Sequence, residues 1–222
     1  MMADFAAMRA HMVDGQILPS KVTDQRLIDA MLRMPREQFV PAAMRGVAYV
    51  DEDIEIAPGR FLMEPVVMAR LIQAASIGSS DLVLDIGCAT GYATAIMGML
   101  AGTVLGLECE PDLAARASAL LAELGVDNSA VVEGPLTEGS PHQAPFDVIF
   151  IGGAVADVPR AIIDQLAEGG RLVAVVAAGR GGGVMGEARR ITRIGGIVSS
   201  RPLFDAAVPL MPGFAAKPGF VF

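Results

Sequence analysis

The segment Val83-Leu84-Asp85-Ile86-Gly87-Cys88-Ala89-Thr90-Gly91-Tyr92 ends an apolar run in an acid and follows it with a turn of small residues. Glycine in such a turn lets the backbone approach a ligand without a Cβ clash. Asp85 is placed to accept a hydrogen bond from a ligand amine or from a loop amide. A second acid, Glu108, closes the run Leu105-Gly106-Leu107-Glu108, 17 positions after Gly91. A carboxylate there can accept both hydroxyls of an adenosine ribose. Two acids at neighbouring strand ends, with a glycine turn between them, point to an adenosine-containing cofactor.

The kind of cofactor follows from what the turn lacks. A dinucleotide fingerprint requires G-x-G-x-x-G, which seats a pyrophosphate on a helix N-terminus. Here the glycines fall at 87 and 91, with Ala89 between them and the acid in front. That acid repels a pyrophosphate. It suits S-adenosylmethionine, which has an amino acid tail and a sulfonium but no phosphate. A nicotinamide-dependent oxidoreductase is the more distant reading, and an α/β domain whose turn is merely tight is the plainest one.

The elements that must hold these residues can be read from periodicity and punctuation. A helix is expected over Ala3 to Val13, and a second from Thr23, its N-cap, to Met34 before Pro35. The acids Asp51, Glu52, Asp53 and Glu55 read as a solvated loop. Pro65 starts a third helix carrying Val66, Met68, Ala69, Leu71, Ile72 and Ala75. Strands are then expected at 82–86, 103–107, 130–132, 146–151 and 171–176, alternating with helices at 92–100, 111–124 and 159–166. Such alternation means a parallel sheet with crossover helices. The Gly-rich stretch from Gly179 to Gly186 reads as a turn with no P-loop lysine. Ile191, Ile194, Ile197 and Val198 continue the sheet. The stretch from Leu203 to Phe222 carries no clear pattern.

Composition narrows the classes. The chain has 222 residues, 53% of them hydrophobic, and a formal net charge of -8. That supports a large core and, with no basic stripe, disfavours nucleic-acid binding. The two cysteines, Cys88 and Cys109, make no metal spacing or disulfide framework, so a cytoplasmic protein without a metal is expected. The two histidines leave no basis for a His-rich metal site. Cys88 sits in the cofactor turn and is not expected to be a nucleophile, and the 13 methionines read as core filler. No charge occurs from Ile86 to Leu107, a length that could cross a bilayer. Gly87 and Gly91 open that run and Gly102-Thr103 breaks it, so it reads as loop, helix, turn and buried strand.

The run from Val83 to Tyr92 resembles the first motif of class I methyltransferases. The wider pattern resembles the protein-L-isoaspartate O-methyltransferase family, over roughly Arg9 to Val176. It is carried by Met12-Val13-Asp14-Gly15-Gln16-Ile17, Val22-Thr23-Asp24, Ala48-Tyr49-Val50-Asp51, Ala144-Pro145-Phe146-Asp147 and Gln165-Leu166-Ala167-Glu168-Gly169-Gly170. Its most specific part is Met34-Pro35-Arg36-Glu37-Gln38-Phe39-Val40-Pro41. The resemblance implies a Rossmann-like α/β fold: seven strands, mostly parallel with one reversed, helices on both faces and extra N-terminal helices. It implies one methyltransferase domain over 1–222, with a helical elaboration over 1–58 and the cofactor-binding core over 59–222. The implied reaction is methyl transfer from S-adenosylmethionine, leaving S-adenosylhomocysteine, to a carboxylate of an isoaspartyl protein or peptide. The implied cofactor contacts are Leu62, Asp85, Gly87, Cys88, Gly91, Tyr92, Glu108, Cys109, Gly134, Pro135 and Leu136. A monomer or homodimer, without membrane attachment, is expected.

Two stretches depart from the family pattern. The family's substrate loop reads close to G-Q-T-I-S-Q-P, whereas here it is Gly59-Arg60-Phe61-Leu62-Met63-Glu64-Pro65. Met63 and Glu64 stand at the catalytic loop positions without the family's hydroxyl and amide. An altered acceptor site is therefore expected. The alternative is a cofactor-binding homologue without repair activity, acting as a regulatory or interaction module. The family's G-D-G after the third core strand is Gly134-Pro135-Leu136, so no acid is there to meet the adenine amine.

Overall fold

The computed structural model describes residues 4–177 and 185–215. The chain starts with α1 (Phe5–Met12), which runs into a π-helical turn over Val13–Ile17. Asp4 caps α1 by accepting from the amide of Ala7 at 3.0 Å. Helix α2 (Gln25–Arg33) is capped by Asp24 and not by Thr23 as expected; the Asp24 carboxylate accepts from the amide of Arg26 at 3.0 Å. The side-chain oxygen of Gln73 accepts from the amides of both Thr23 and Asp24, at 2.6 and 3.0 Å, just ahead of the helix.

Strands β1 (Ile54–Ala57) and β2 (Arg60–Leu62) form an antiparallel hairpin closed by Pro58-Gly59. Gly59 has φ +68, which only glycine adopts cheaply. This hairpin straddles the boundary placed at residue 58. It also organises the acidic stretch: Glu55 accepts from the amide of Gly59 at 3.1 Å. Asp53 accepts from Glu64 at 2.9 Å and Asp51 from Val66 at 3.1 Å, both at the start of α3 (Pro65–Ala75). Glu52 and Glu55 are exposed as a solvated loop requires, while Asp51 and Asp53 cap a helix.

The main sheet uses β3 (Leu82–Ile86), β4 (Thr103–Glu108), β5 (Ser129–Glu133), β6 (Phe146–Val155), β7 (Leu166–Ala177), β8 (Met185–Ile194) and β9 (Ile197–Ala207). Their order is β5-β4-β3-β6-β7-β8-β9. All neighbours from β5 to β7 pair in parallel; β8 runs antiparallel to both β7 and β9, so one strand is reversed. Crossovers are made by α4 (Tyr92–Gly98), α5 (Pro111–Glu123) and α6 (Arg160–Ile163). The helix expected over 159–166 is a single turn, because Leu166 already pairs with Phe146 in β7. Met185 and Gly186 belong to β8, and the rest of the expected Gly-rich turn, residues 179–184, lies outside the described residues, as does Ala3 at the expected start of α1.

Alternate residues of each strand supply two apolar faces. Val83, Val104, Val148 and Val173 pack towards Leu27, Met31 and Leu71 of the N-terminal helices. Leu84, Leu105, Ile149 and Leu172 pack towards Ile162 and Phe214. The uncharged run from Ile86 to Leu107 is divided between β3, α4 and β4, and no helix of the described residues is long and apolar enough to cross a membrane. After β9 the chain returns over the end of β6: Ala154 donates to Pro209 at 3.0 Å, and Met211 donates to Ala154 at 2.8 Å. The order of connection reverses at β3, which lies between β4 and β6, and the carboxyl end of such a strand is where open α/β sheets bind ligands.

Candidate functional site

Asp85 and Glu108 stand there, near the ends of β3 and β4, and both are fully buried. One Asp85 oxygen, Oδ2, accepts from the hydroxyl of Thr94 on α4 at 2.6 Å. The other, Oδ1, has no hydrogen-bond partner among the described residues. Burial raises the Asp85 carboxyl to about 7, despite the Thr94 bond that favours ionisation. A buried acceptor left open in this way is a place for a donor from a ligand.

The turn after Asp85 is built from backbone conformations that exclude most side chains. Gly87 has φ +76 and Gly91 φ +90, and Ala89 between them is also left-handed at φ +54. The amides of Gly87 and Cys88 donate to the Leu107 carbonyl at 2.8 and 3.1 Å, which ties the turn to β4. From the other side β6 presses in: a Cβ on Gly152 would lie 2.9 Å from the carbonyl oxygen of Gly87. Cys88 is buried, and burial, with Asp85 and Glu108 nearby, pushes its thiol well up, which disfavours the thiolate. Burial also raises the Cys109 thiol.

Glu108 is the most heavily bonded side chain of the site. Its Oε1 accepts from the amides of Cys109 at 2.8 Å and Glu110 at 3.1 Å, and its Oε2 from Ala89 at 2.8 Å. Arg60 on β2 adds two more donors, Nη1 to Oε1 at 2.5 Å and Nη2 to Oε2 at 2.6 Å. The Arg60 side chain is 5% exposed and that of Glu108 0%.

The remaining expected residues fall into two groups. Leu62 and Met63 are buried beside Asp85, Gly87 and Phe150, around a cavity of only about 20 Å³. Glu64 is half-buried at the start of α3; burial first, then Asp51, Asp53 and Glu52, raise its carboxyl to about 7. Gly134 donates to the Glu108 carbonyl at 3.0 Å, which brings Gly134-Pro135-Leu136 beside the end of β4, with Leu136 buried and Pro135 exposed. Tyr92 is placed differently. Its ring lies against Phe39 at 5.2 Å and under the guanidinium of Arg36 at 4.9 Å, so its side chain fixes α4 to the N-terminal segment. A larger cavity of about 650 Å³ lies on the outer side of Arg60, walled by Pro41, Pro58, Thr90, Glu110 and Arg116.

Several residues of the site carry no sequence signal of their own. Thr94 reaches Asp85 only because α4 turns it back over the strand end. Met211 lies over the turn, where a Cβ on Gly87 would meet its Sδ and Cε at 2.7 Å. Arg36 could have been found, since it lies within the stretch from Met34 to Pro41 that carries the resemblance.

The model of the family described as Protein-L-isoaspartate(D-aspartate) O-methyltransferase (PCMT) matches residues 8–194. A protein-L-isoaspartate O-methyltransferase of Koribacter versatilis is 43% identical over 169 residues, 76% of either chain. One of Roseiflexus castenholzii is 39% identical over 213 residues, covering 96% of this chain and 95% of the relative. Among solved structures, a protein-L-isoaspartate O-methyltransferase superposes with a TM-score of 0.78 at 22% identity, over 93% of this chain and 67% of the other. A Plasmodium falciparum structure in complex with S-adenosyl-L-homocysteine superposes with a TM-score of 0.76 at 19% identity, over 94% and 98%. At these identities the two structures speak for the fold.

Proposed function

The chain belongs to the protein-L-isoaspartate O-methyltransferase family, and from that premise we propose how its own residues serve the family's reaction. It is an S-adenosylmethionine-dependent methyltransferase acting on the carboxylate of isoaspartyl residues in proteins. The observation that carries the assignment of roles is the pair of buried acids at adjacent strand ends, separated by a turn that only a glycine-rich sequence can make.

When bound, S-adenosylmethionine supplies a methyl group on a sulfonium, activated for transfer to a nucleophilic oxygen. Glu108 would hold the ribose through its carboxylate. The open Oδ1 of Asp85 accepts from a donor of the cofactor or of a bound water. The left-handed backbone of Gly87 and Gly91 lets the cofactor lie against the chain. Leu136 supplies an apolar wall for the adenine in place of the family's acid.

On the acceptor side, in-line displacement requires a carboxylate held in position more than it requires a base. The loop at Met63 is fixed from behind, because the buried Arg36 donates to the Met63 carbonyl at 2.8 Å and the Ala48 carbonyl at 2.7 Å. Met63 and Phe61 exclude water from the approach but offer no hydroxyl. Two free thiols and no span-length apolar helix among the described residues suit a cytoplasmic setting.

A paired experiment tests the reading. S-adenosylhomocysteine binding is followed by calorimetry, and labelled methyl transfer is followed on an isoaspartyl peptide and its aspartyl counterpart. Binding with transfer confined to the isoaspartyl peptide is expected. Binding without transfer to either peptide would leave the cofactor roles standing and overturn the acceptor assignment.

A further inference from the structure

Glu108 receives five donors, three from backbone amides and two from Arg60. These five already exceed the roughly four lone-pair positions of a carboxylate, so no further donor is added while Arg60 stays. The three amides belong to the turn at Ala89 and to the chain entering α5, and they are fixed by the fold. The two guanidinium bonds come from outside the sheet. They are parallel, one to each oxygen, and would occupy the oxygens that ribose hydroxyls would need on the same carboxylate.

Resting on the reading of Glu108 as the ribose acceptor, we infer that Arg60 is an intramolecular stand-in for the ribose diol and sets the cofactor affinity of this chain. Arg60 and the ribose are mutually exclusive partners of Glu108. The arrangement of the surroundings agrees. Arg60 lies over the glycine turn as well, with Nη2 3.6 Å from where a Gly87 Cβ would stand. The space left between the hairpin, Asp85 and Gly87 is about 20 Å³, room for about one water.

The element carrying Arg60 is suited to move. The β1–β2 hairpin is a separate two-stranded sheet, outside the seven-stranded one. Such hairpins are marginal by themselves, so this one is held by its buried Ile54 and Leu62 and by the Arg60–Glu108 pair. Beyond Arg60 the cavity of about 650 Å³ also receives the exposed residues Glu110 and Asp112. A guanidinium leaving Glu108 on that side meets solvent, the acids Glu110 and Asp112 and one like charge, Arg116, and avoids a dry interior. A buried ion separated from its partner without replacement is costly; here the ribose replaces Arg60 on Glu108, and water and acids replace Glu108 around Arg60.

The test is calorimetric binding of S-adenosylhomocysteine to the full chain and to Arg60→Gln and Arg60→Lys variants, with thermal melting to establish that each is folded. Gln stands at this position in the family's loop pattern, and Lys keeps the charge but loses the two-pronged contact. Arg60→Gln is expected to bind at least tenfold tighter than the parent, with Arg60→Lys between them; if the Gln variant does not fold, the Lys variant carries the test by the same order. Equal or weaker binding by the folded variants, with measurable binding by the parent, would overturn the inference and leave the cofactor assignment intact. No binding by the parent or the variants would overturn both.

Discussion

The guanidinium of Arg36, fully buried, donates to the backbone carbonyl of Met63, 27 positions later, at 2.8 Å. Among the described residues no carboxylate bonds to Arg36; its other partners are the Ala48 carbonyl and the face of Tyr92. Desolvation accordingly lowers its pKa. A charge in such a place serves to join the N-terminal segment to the loop before α3. Arg36→Met should leave two buried carbonyls unpaired and destabilise the chain by about 2–4 kcal/mol. Urea unfolding of the two proteins measures the difference, and a change within experimental scatter would mean that water or backbone shifts replace the guanidinium.

Asp85 gives stability a definite pH dependence. Its carboxyl is raised from the usual aspartate range to about 7, so the folded chain keeps the proton where the unfolded chain has lost it. Stability from this group is therefore full below about pH 4 and declines as pH rises through 7. Asp85→Asn removes that component. The parent minus variant difference in unfolding free energy should fall between about pH 4 and 7, and a flat difference would show that Asp85 titrates as an ordinary carboxyl.

Glu64 gives activity a pH dependence of its own. Its carboxyl, raised to about 7 chiefly by burial, is largely protonated at pH 6 and charged at pH 8. A charged Glu64 repels an anionic acceptor. The KM for an isoaspartyl peptide should rise from pH 6 to pH 8, and Glu64→Gln should lower it at pH 8 by about fivefold, equivalent to about 1 kcal/mol of like-charge repulsion. Steady-state assays at the two pH values decide it: an unchanged KM in the variant places Glu64 away from the acceptor.

Gly152 is a steric sentinel for the cofactor turn. An added Cβ would stand 2.9 Å from the Gly87 carbonyl oxygen and 3.4 Å from that of Ile86, both backbone atoms. Gly152→Ala should push β6 and the turn apart, cost about 1–3 kcal/mol in unfolding free energy and weaken S-adenosylhomocysteine binding. If stability and affinity are both retained, the turn is more compliant than its hydrogen bonds to Leu107 indicate.

The sequence by itself determined the order of strands and helices from α3 to β7, because apolar runs and pairs such as Pro65 with α3 or Pro111 with Gly125 around α5 are local signals; the β1–β2 hairpin and the end of β9 were not legible in it. It also determined that Asp85 and Glu108 end adjacent strands, since a parallel α/β chain places strand ends together. Where local signals compete, it determined less. Asp24 rather than Thr23 caps α2, and Gln73, fifty residues from Thr23, holds the amides of both. The helix expected to Leu166 gave way to sheet pairing with Phe146. Only the tertiary structure decided what reaches the site from afar. Arg60 closes on Glu108, Met211 lies over Gly87, and Tyr92 turns to Arg36 and Phe39. The physical reason is that an ion pair across 48 positions, or a methionine returning from the chain's end, leaves no period and no spacing to read. Such contacts exist only once the sheet has brought distant segments to a common edge.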